Sequence, residues 1–455
     1  MQQEFNYQTQ KEMLESLIKN PKEFEHRHPS EIARIIKEIY YQEGKESYIN
    51  YLRKIPEEHL GEILLELPED IKDEALEELS VTKLADVVEE LDSDDAADLI
   101  QDIAELDSQK EQEILSNLDD EDVQDIKHLQ QYDEDVAGSL MQTELFSAKL
   151  DEKIGDSIER LKHLKNDVGL DNIHVVFLVD EFGFLIGYMP LEDVITFDFS
   201  KRYRDYLQEQ YKRVKFAKAT DSIDSVVKYF EDYDLVVLPI TDIDGKLIGR
   251  ITSDDVYDII EERATEQIYK MAGVDDESED ERDVKIITKK RAIWLGVNLL
   301  TAIAASAVIG LFDATIESYV ALAVLMPIVA SMGGNAGTQT LTVMVRQLAL
   351  QEINWSEAKQ AVAREIIVSL LNGLIFAIIM GLIAYFWFHD YKLGVVMGIA
   401  MVINLLFAGF FGAIIPLLLR RMGIDPAVAS SVLLTTVTDV VGFFAFLGLA
   451  KLILL

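Results

Sequence analysis

Asp439 stands inside a stretch of apolar and hydroxyl residues, Ser431-Val-Leu-Leu-Thr-Thr-Val-Thr-Asp-Val-Val-Gly-Phe-Phe-Ala-Phe-Leu447. About twenty such residues cross a bilayer. A carboxylate at the centre of such a span costs about 2.5–3.5 kcal/mol on insertion scales. Groups of this kind face a bundle interior, a wet cavity or a cation rather than lipid. On its own chemistry Asp439 is a site for a cation or a proton; contacts with Thr435, Thr436 or Thr438 would also satisfy it. Carboxylates crowd elsewhere too. Asp92-Ser-Asp-Asp-Ala-Ala-Asp98 is one dense run. Asp255, Asp258, Glu262 and Glu266 form another, at i, i+3, i+7 and i+11, on one helix face. Such a face repels itself by a few tenths of a kcal/mol per exposed pair, and a bound cation would remove the repulsion. Helix capping and solvated acidic faces also favour acids at these places.

The elements that must hold these groups differ along the chain. Of the 455 residues, 81 are acidic and 42 basic, a formal charge of −39. From Ala292 onward the net is only −1, so the first 291 residues carry −38. That surface repels nucleic acid and attracts cations. Cysteine is absent, which excludes disulfides, cysteine zinc sites and thiol catalysis. Met1-Gln-Gln-Glu-Phe-Asn has neither the basic start nor the apolar run of a signal peptide, so the first 280 residues are expected in the cytoplasm. No phosphate-binding loop, nucleophile constellation or metalloprotease motif is present, and an enzyme is not expected.

Two internal repeats divide the acidic part. Glu62-Ile-Leu-Leu-Glu-Leu67, Glu74-Ala-Leu-Glu-Glu-Leu79, Asp86-Val-Val-Glu-Glu-Leu91 and Asp98-Leu-Ile-Gln-Asp-Ile103 recur every twelve residues. Each predicts a short helix with an apolar stripe, stacked on its neighbours into a small superhelix. The register slips beyond Ile103, and Leu118-Asp-Asp-Glu-Asp122 opens a further helix. A larger repeat has a period of 62 residues: Asp180-Glu-Phe-Gly183 with Gly187 and Asp193, then Asp242-Ile-Asp-Gly245 with Gly249 and Asp255. Asp-x-x-Gly between apolar runs is a tight hairpin turn. The unit is βαββα used twice, and it resembles a pair of CBS domains, which often bind adenine nucleotides.

After Lys289-Lys-Arg291 five spans are predicted, at about 292–312, 317–345, 362–388, 394–419 and 427–453. Basic residues cluster in the second and fourth connections, so the N-terminal part is expected inside and the C-terminus outside. In the second span Pro327 and Gly333-Gly334 are expected to break or thin the helix, exposing carbonyls to a hydrated cation beside Asn335, Thr338, Gln339 and Thr340. Close helix packing would also explain the glycines. Asn298, Asn372 and Asn404 are expected in interhelical hydrogen bonds. Asp425-Pro426 reads as a helix start that could stand at a pore mouth.

This order resembles the MgtE family of magnesium channels and transporters over nearly the whole chain from about residue 20. The specific marks are Pro327 through Gly334-Asn335-Ala-Gly337-Thr-Gln339 and Thr438-Asp439-Val440. The fold class expected is a multidomain membrane protein: an all-α superhelical N domain at 1–137, an α/β CBS pair at 138–200 and 201–262, a connecting or plug helix with its charged linker at 254–290, and an α-helical five-span membrane domain at 291–455. The resemblance implies a homodimer in the lipid bilayer, with Asp439 doubled around a hydrated Mg²⁺ and Asp425, Asn335, Gly333 and Gly334 as candidate pore lining. It implies that Glu62, Asp94 and Asp98 share regulatory Mg²⁺ with Asp224, Asp234, Asp255, Asp258 and Glu266, closing the pore when cytosolic Mg²⁺ is high. It also implies ATP as a ligand of the CBS pair. Arg263, Gln267, Ser222 and Ser431 depart from the family's pattern. A proton- or sodium-coupled transporter of divalent cations is the alternative.

Overall fold

The structure is a computed structural model that describes residues 2–167, 170, 172–209, 214–272, 284–349 and 358–455. It forms two compact units, Met1–Glu262 and Arg263–Leu455. The chain is a multidomain membrane protein, with a helical N domain, a CBS pair and membrane-spanning helices.

The first unit opens with nine helices: α1 (Gln2–Lys19), α2 (Pro29–Glu43), α3 (Lys45–Leu52), α4 (Glu57–Leu65), α5 (Glu69–Glu78), α6 (Val81–Glu89), α7 (Ser93–Leu106), α8 (Ser108–Leu115) and α9 (Asp120–Leu129). The twelve-residue period survives in space, since α4 to α7 start at residues 57, 69, 81 and 93. Of these starts only that of α6 has a side-chain cap. Pro56 and Pro68 precede α4 and α5, and Ser80 accepts from the Lys83 amide at 3.3 Å before α6. The stripe of each helix is buried, for example Leu84, Ala85, Val87 and Val88 of α6. The period ends at α7, which runs on to Leu106 until Asp107 caps α8 by accepting from the amides of Gln109 and Lys110.

The 62-residue repeat folds as predicted. The first copy is β1 (Ser147–Lys149), α10 (Ile154–Asp167), β2 (Val175–Val179), β3 (Leu185–Pro190) and α11 (Leu191–Thr196), followed by α12 (Tyr203–Glu209). The second is β4 (Ala217–Lys218), α13 (Ile223–Tyr233), β5 (Val237–Thr241), β6 (Leu247–Thr252) and α14 (Ser253–Ala272). Each sheet has one parallel and one antiparallel pair, ordered β1-β2-β3 and β4-β5-β6. Asp180 and Asp242 close the hairpins by accepting backbone amides, and Gly183 and Gly245 take φ of +89° and +98°, which suits glycine. The hairpin tips then bond to each other. The Leu185 amide donates to Gly245 and the Leu247 amide to Gly183, both at 3.1 Å.

The second unit contains α15 (Val284–Gly310), α16 (Asp313–Ser318), α17 (Ala321–Ala349), α18 (Ala358–Phe388), α19 (Tyr391–Arg421) and α20 (Pro426–Ile453). Among the described residues five helices are long and apolar enough to cross a membrane: all of these except the short α16. The expected charged linker at 274–283 lies outside the described residues.

One expectation is overturned. Helix α17 runs unbroken through Pro327 and Gly333-Gly334, so no carbonyls are exposed by a broken segment there. Pro327 sits two turns into the helix and frees only a carbonyl of its first turn. The glycines serve contact. A Cβ on Gly333 would lie 2.3 Å from the Asn404 side-chain nitrogen, and one on Gly337 would lie 2.9 Å from Leu434. Glycine in a membrane helix does not melt it, because no water competes for the backbone. The same device joins α18 to α19, where a Cβ on Gly394 would meet the Gly381 carbonyl oxygen at 2.7 Å. Gly394→Leu should therefore lower the thermal midpoint of the detergent-solubilised protein by several degrees. Gly296→Leu, at a position with nothing within 4 Å of a Cβ, should leave it unchanged; equal effects would contradict the close crossing.

Candidate cation sites

Two helices that pack on each other in the second unit each carry a polar face. On α17 Ser331, Asn335, Thr338, Gln339 and Thr342 are all exposed, while Gly333, Gly337, Thr340, Leu341 and Met344 face the bundle. On α20 Ser431, Thr435 and Asp439 recur every four residues along one side, exposed or half-buried. The two helices run antiparallel, meeting directly at one level and through α19 at another. Gly337 of α17 meets Leu434 of α20, and Gly333 and Gly442 both meet the Asn404 amide of α19. Along α20 Asp439 falls between Leu434 and Gly442, and along α17 Gly334 and Asn335 fall between Gly333 and Gly337. Gly334 opens onto free space, with nothing within 4 Å of a Cβ. Gly333 does not line this face: it is buried against Asn404.

The threonines beside Asp439 do not satisfy it. Thr435, Thr436 and Thr438 donate to the carbonyls of Ser431, Val432 and Leu434 on their own helix, at 2.9, 2.7 and 3.1 Å. Asn404 does form the interhelical bond expected of it, donating to the Val329 carbonyl at 2.7 Å. Asn298 and Asn372 lie exposed on α15 and α18.

Asp425 caps α20, its Oδ1 accepting from the Ala427 amide at 2.8 Å. Its Oδ2 lies 3.0 Å from the Lys270 ammonium, which also pairs with Glu266. Burial works against that ammonium's charge, but hydrogen bonds to Glu266 and Asp425 outweigh it and hold the lysine above its ordinary pKa.

In the first unit the carboxylates at the start of α7 meet the start of α14. Asp94 is 7% exposed. Burial, then the charges of Asp95 and Asp255, push its carboxyl well above the usual range. Asp95 is pushed up to about 7 by burial and by Asp255, Asp92, Asp98 and Glu62. Asp255 is pushed up to about 6 by burial, although it accepts from the Thr252 hydroxyl at 2.8 Å. Asp98 is pushed up to about 6 by burial and Asp102, with Lys72 opposing. Its side chain opens to solvent, so water screens part of that effect. Asp258 is raised by burial, Asp254 and Glu261. Asp224 and Asp234 are not brought to one point. They occupy opposite ends of α13, about 15 Å apart along its axis. Among the described residues no group of three or more histidine or carboxylate side chains is placed to hold a metal ion. Asp94, Asp95, Asp98 and Asp255 are instead crowded carboxylates that raise one another's proton affinity.

Three family descriptions match the chain: a divalent cation transporter, MgtE, at residues 326–449; the MgtE intracellular N domain at 27–135; and a CBS domain at 210–262. The magnesium transporter MgtE of Thermus thermophilus is 32% identical over 332 residues, 72% of each chain. The chain belongs to the MgtE family. The magnesium transporter MgtE of Enterococcus faecalis is 31% identical over 328 residues, 72% of this chain and 71% of that one. Among solved structures, the soluble part of a magnesium transporter matches at 25% identity, with 57% of this chain and 99% of that chain covered and a TM-score of 0.49. The cytosolic domain of the Mg²⁺ channel MgtE in complex with ATP matches at 28% identity, covering 52% and 91%, with a TM-score of 0.46. As an MgtE family member the chain is a divalent-cation transporter of the membrane, with its own apolar helices to hold it in the bilayer.

Two residues of this MgtE chain escaped the sequence reasoning. Asp95 lies in the densest acidic run, and its place in the first turn of α7 was the available signal. Glu365, on α18, is buried, accepts from the Thr340 hydroxyl at 3.3 Å and faces its neighbour Arg364 at 3.5 Å. Its signal, a second carboxylate in an apolar helix, is masked in the sequence by the adjacent Arg364.

The acidic group makes stability depend on pH with a definite sign. These carboxyls bind protons more tightly folded than unfolded, where the pKa is about 4. The stability they contribute is thus fully present below that value and is lost as the pH rises through 6 to 7. Without divalent ions, the thermal midpoint should rise as the pH falls from about 8 to about 5. Mg²⁺ at the higher pH should give a similar rise, and Asp94→Asn with Asp95→Asn should shrink both. A midpoint equally sensitive in that variant would place the stress elsewhere.

Proposed function

We propose that the chain is a Mg²⁺-selective channel that works as a homodimer and is closed by cytosolic Mg²⁺. The polar face of α17, exposed among the described residues, together with Asp439 on the neighbouring α20, carries this proposal. Hydrocarbon does not tolerate such a face. A second copy about a two-fold axis would turn two such faces toward one another, because isologous contacts pair the same patch with itself. Two Asp439 carboxylates would then flank a path lined by Asn335, Gln339 and the hydroxyls of Ser331, Thr338 and Thr342. Mg²⁺ sheds water reluctantly, so these groups act on the hydrated ion: the carboxylates attract its charge, and amides and hydroxyls take up hydrogen bonds from its waters. The bases Arg346, Arg364, Arg420 and Arg421 support a cytoplasmic first unit and an outward C-terminus.

Regulation rests on Asp94, Asp95, Asp98 and Asp255, with Glu62 within electrostatic reach. Mg²⁺ bound there supplies the positive charge that this group lacks. The closed arrangement is then the one that binds the ion better, and its population grows with cytosolic Mg²⁺. The same proposal keeps the boundaries of 1–137, 138–200, 201–262, 254–290 and 291–455 for its parts, with an adenine nucleotide as a further ligand of the CBS pair.

In proteoliposomes, Asp439→Asn should reduce Mg²⁺ uptake by about tenfold or more, about 1.4 kcal/mol on the barrier. Uptake should follow the Mg²⁺ gradient whether or not a proton or sodium gradient is imposed. Undiminished uptake in the variant would remove Asp439 from the path, and dependence on an imposed gradient would favour coupled transport. Asp94→Asn, Asp98→Asn and Asp255→Asn together should leave uptake running at millimolar internal Mg²⁺. Normal closure in that triple variant would refute the regulatory assignment.

A further inference from the structure

The end of α14 lies against the membrane helices of the second unit. Met271 packs on a cluster formed by Leu341 and Val345 of α17, Ile415 and Leu419 of α19, and Ala427 and Leu434 of α20. Beside it the Lys270 ammonium stands between Glu266, one turn back on the same helix, and Asp425 Oδ2 at 3.0 Å. Asp425 is held in place because its other oxygen caps α20 at the Ala427 amide. Two carboxylates from different helices thus share one cation, and the chain supplies that cation itself.

We infer that Glu266 and Asp425 form a cation site whose resident is the Lys270 ammonium, so that the connecting helix grips α20 without Mg²⁺. The physical case is one of local concentration and hydration. An ammonium tethered one helical turn from Glu266 is present at its site whatever the ionic composition, whereas a free ion must be recruited at its bulk concentration. Mg²⁺ must also give up or reorganise tightly held water. The lysine offers three donors to the two carboxylates and needs no second ligand shell. One charge against two leaves the trio at −1. A divalent ion would cancel the pair completely, so removing the ammonium leaves a vacated pair matched to a divalent cation. Arg263 and Gln267, on the same stretch of helix, add no carboxylate to compete. Sensitivity to cytosolic Mg²⁺ then has to arise from Asp94, Asp95, Asp98 and Asp255, while the Lys270 contact sets a constant bias. This inference rests on the proposal that the chain is a channel closed by cytosolic Mg²⁺, but the measurement that decides it is a distance and not a transport rate.

The chain has no cysteine, so spin labels can be placed at will on the full-length protein in nanodiscs. Ala272→Cys and Met422→Cys are exposed positions in the same unit. Labelled chains, with unlabelled chain in excess, report the distance between them. With Lys270 or Lys270→Arg, one narrow distance is expected both in chelator and in Mg²⁺. Lys270→Met should lose that narrow distance in chelator and regain it when Mg²⁺ alone is added. Adding Glu266→Gln to Lys270→Met should abolish the recovery. A narrow distance in chelator for Lys270→Met would overturn the inference, and so would a failure of Mg²⁺ to restore it. Uptake by the Lys270→Met protein, still reduced by Asp439→Asn, shows that the fold is intact. It also separates failure of this inference from failure of the channel proposal.

Discussion

Negative charge that lacks matching positive charge is the constraint on which both units turn. In the first unit the apolar stripe of α7, with Ala96, Leu99, Ile100 and Ile103, must face the helical core. That requirement fixes the rotation of the helix and carries Asp94 and Asp95 inward with its first turn. The start of α14 is set by the end of β6, which brings Asp255 to the same place. Burial of the stripe, at about 25 cal/mol per Å² of apolar surface, offsets the crowding of acids. The fold tolerates that stress without relieving it. In the second unit Asp439 poses the same problem at membrane depth, and the hydroxyls beside it are already committed to their own helix.

Close packing makes the membrane unit able to carry such groups. Gly333, Gly337, Gly394 and Gly409 remove side chains where helices cross, and Asn404 pins α17 to α19 through the Val329 carbonyl. With one side of α17 locked by those contacts, the opposite side is fixed in direction. The row from Ser331 to Thr342 is therefore a directed face. Glu365 belongs to the locked side, holding Thr340 across the α17–α18 contact.

Much of this was legible in the residue order. The twelve-residue period was visible because each short helix needs its own apolar stripe, and the 62-residue period because Asp180 and Asp242 build the same turn. The spans followed from hydropathy, with ends shifted by a few residues. What escaped depended on contacts between distant segments. Gly333-Gly334 looked like a breaker by the propensities of soluble helices, but its neighbours are Asn404 and open space rather than water. Asp425 looked like a cap facing a pore mouth; the cap is there, and its second oxygen is taken by Lys270, more than 150 positions earlier. Neither partner could be deduced from spacing. Glu365 was hidden by standing beside Arg364, where a charge pair near the end of a span looks like an ordinary boundary.

The two CBS modules are close copies except in their last helix. After β3 that helix, α11, ends within six residues, while after β6 its counterpart α14 continues for twenty. A helix is stiff over such a length, and Asp255 and Lys270 lie about 22 Å apart along it. The longer copy therefore adds fourteen residues, about 21 Å of helix, to what the shorter one has.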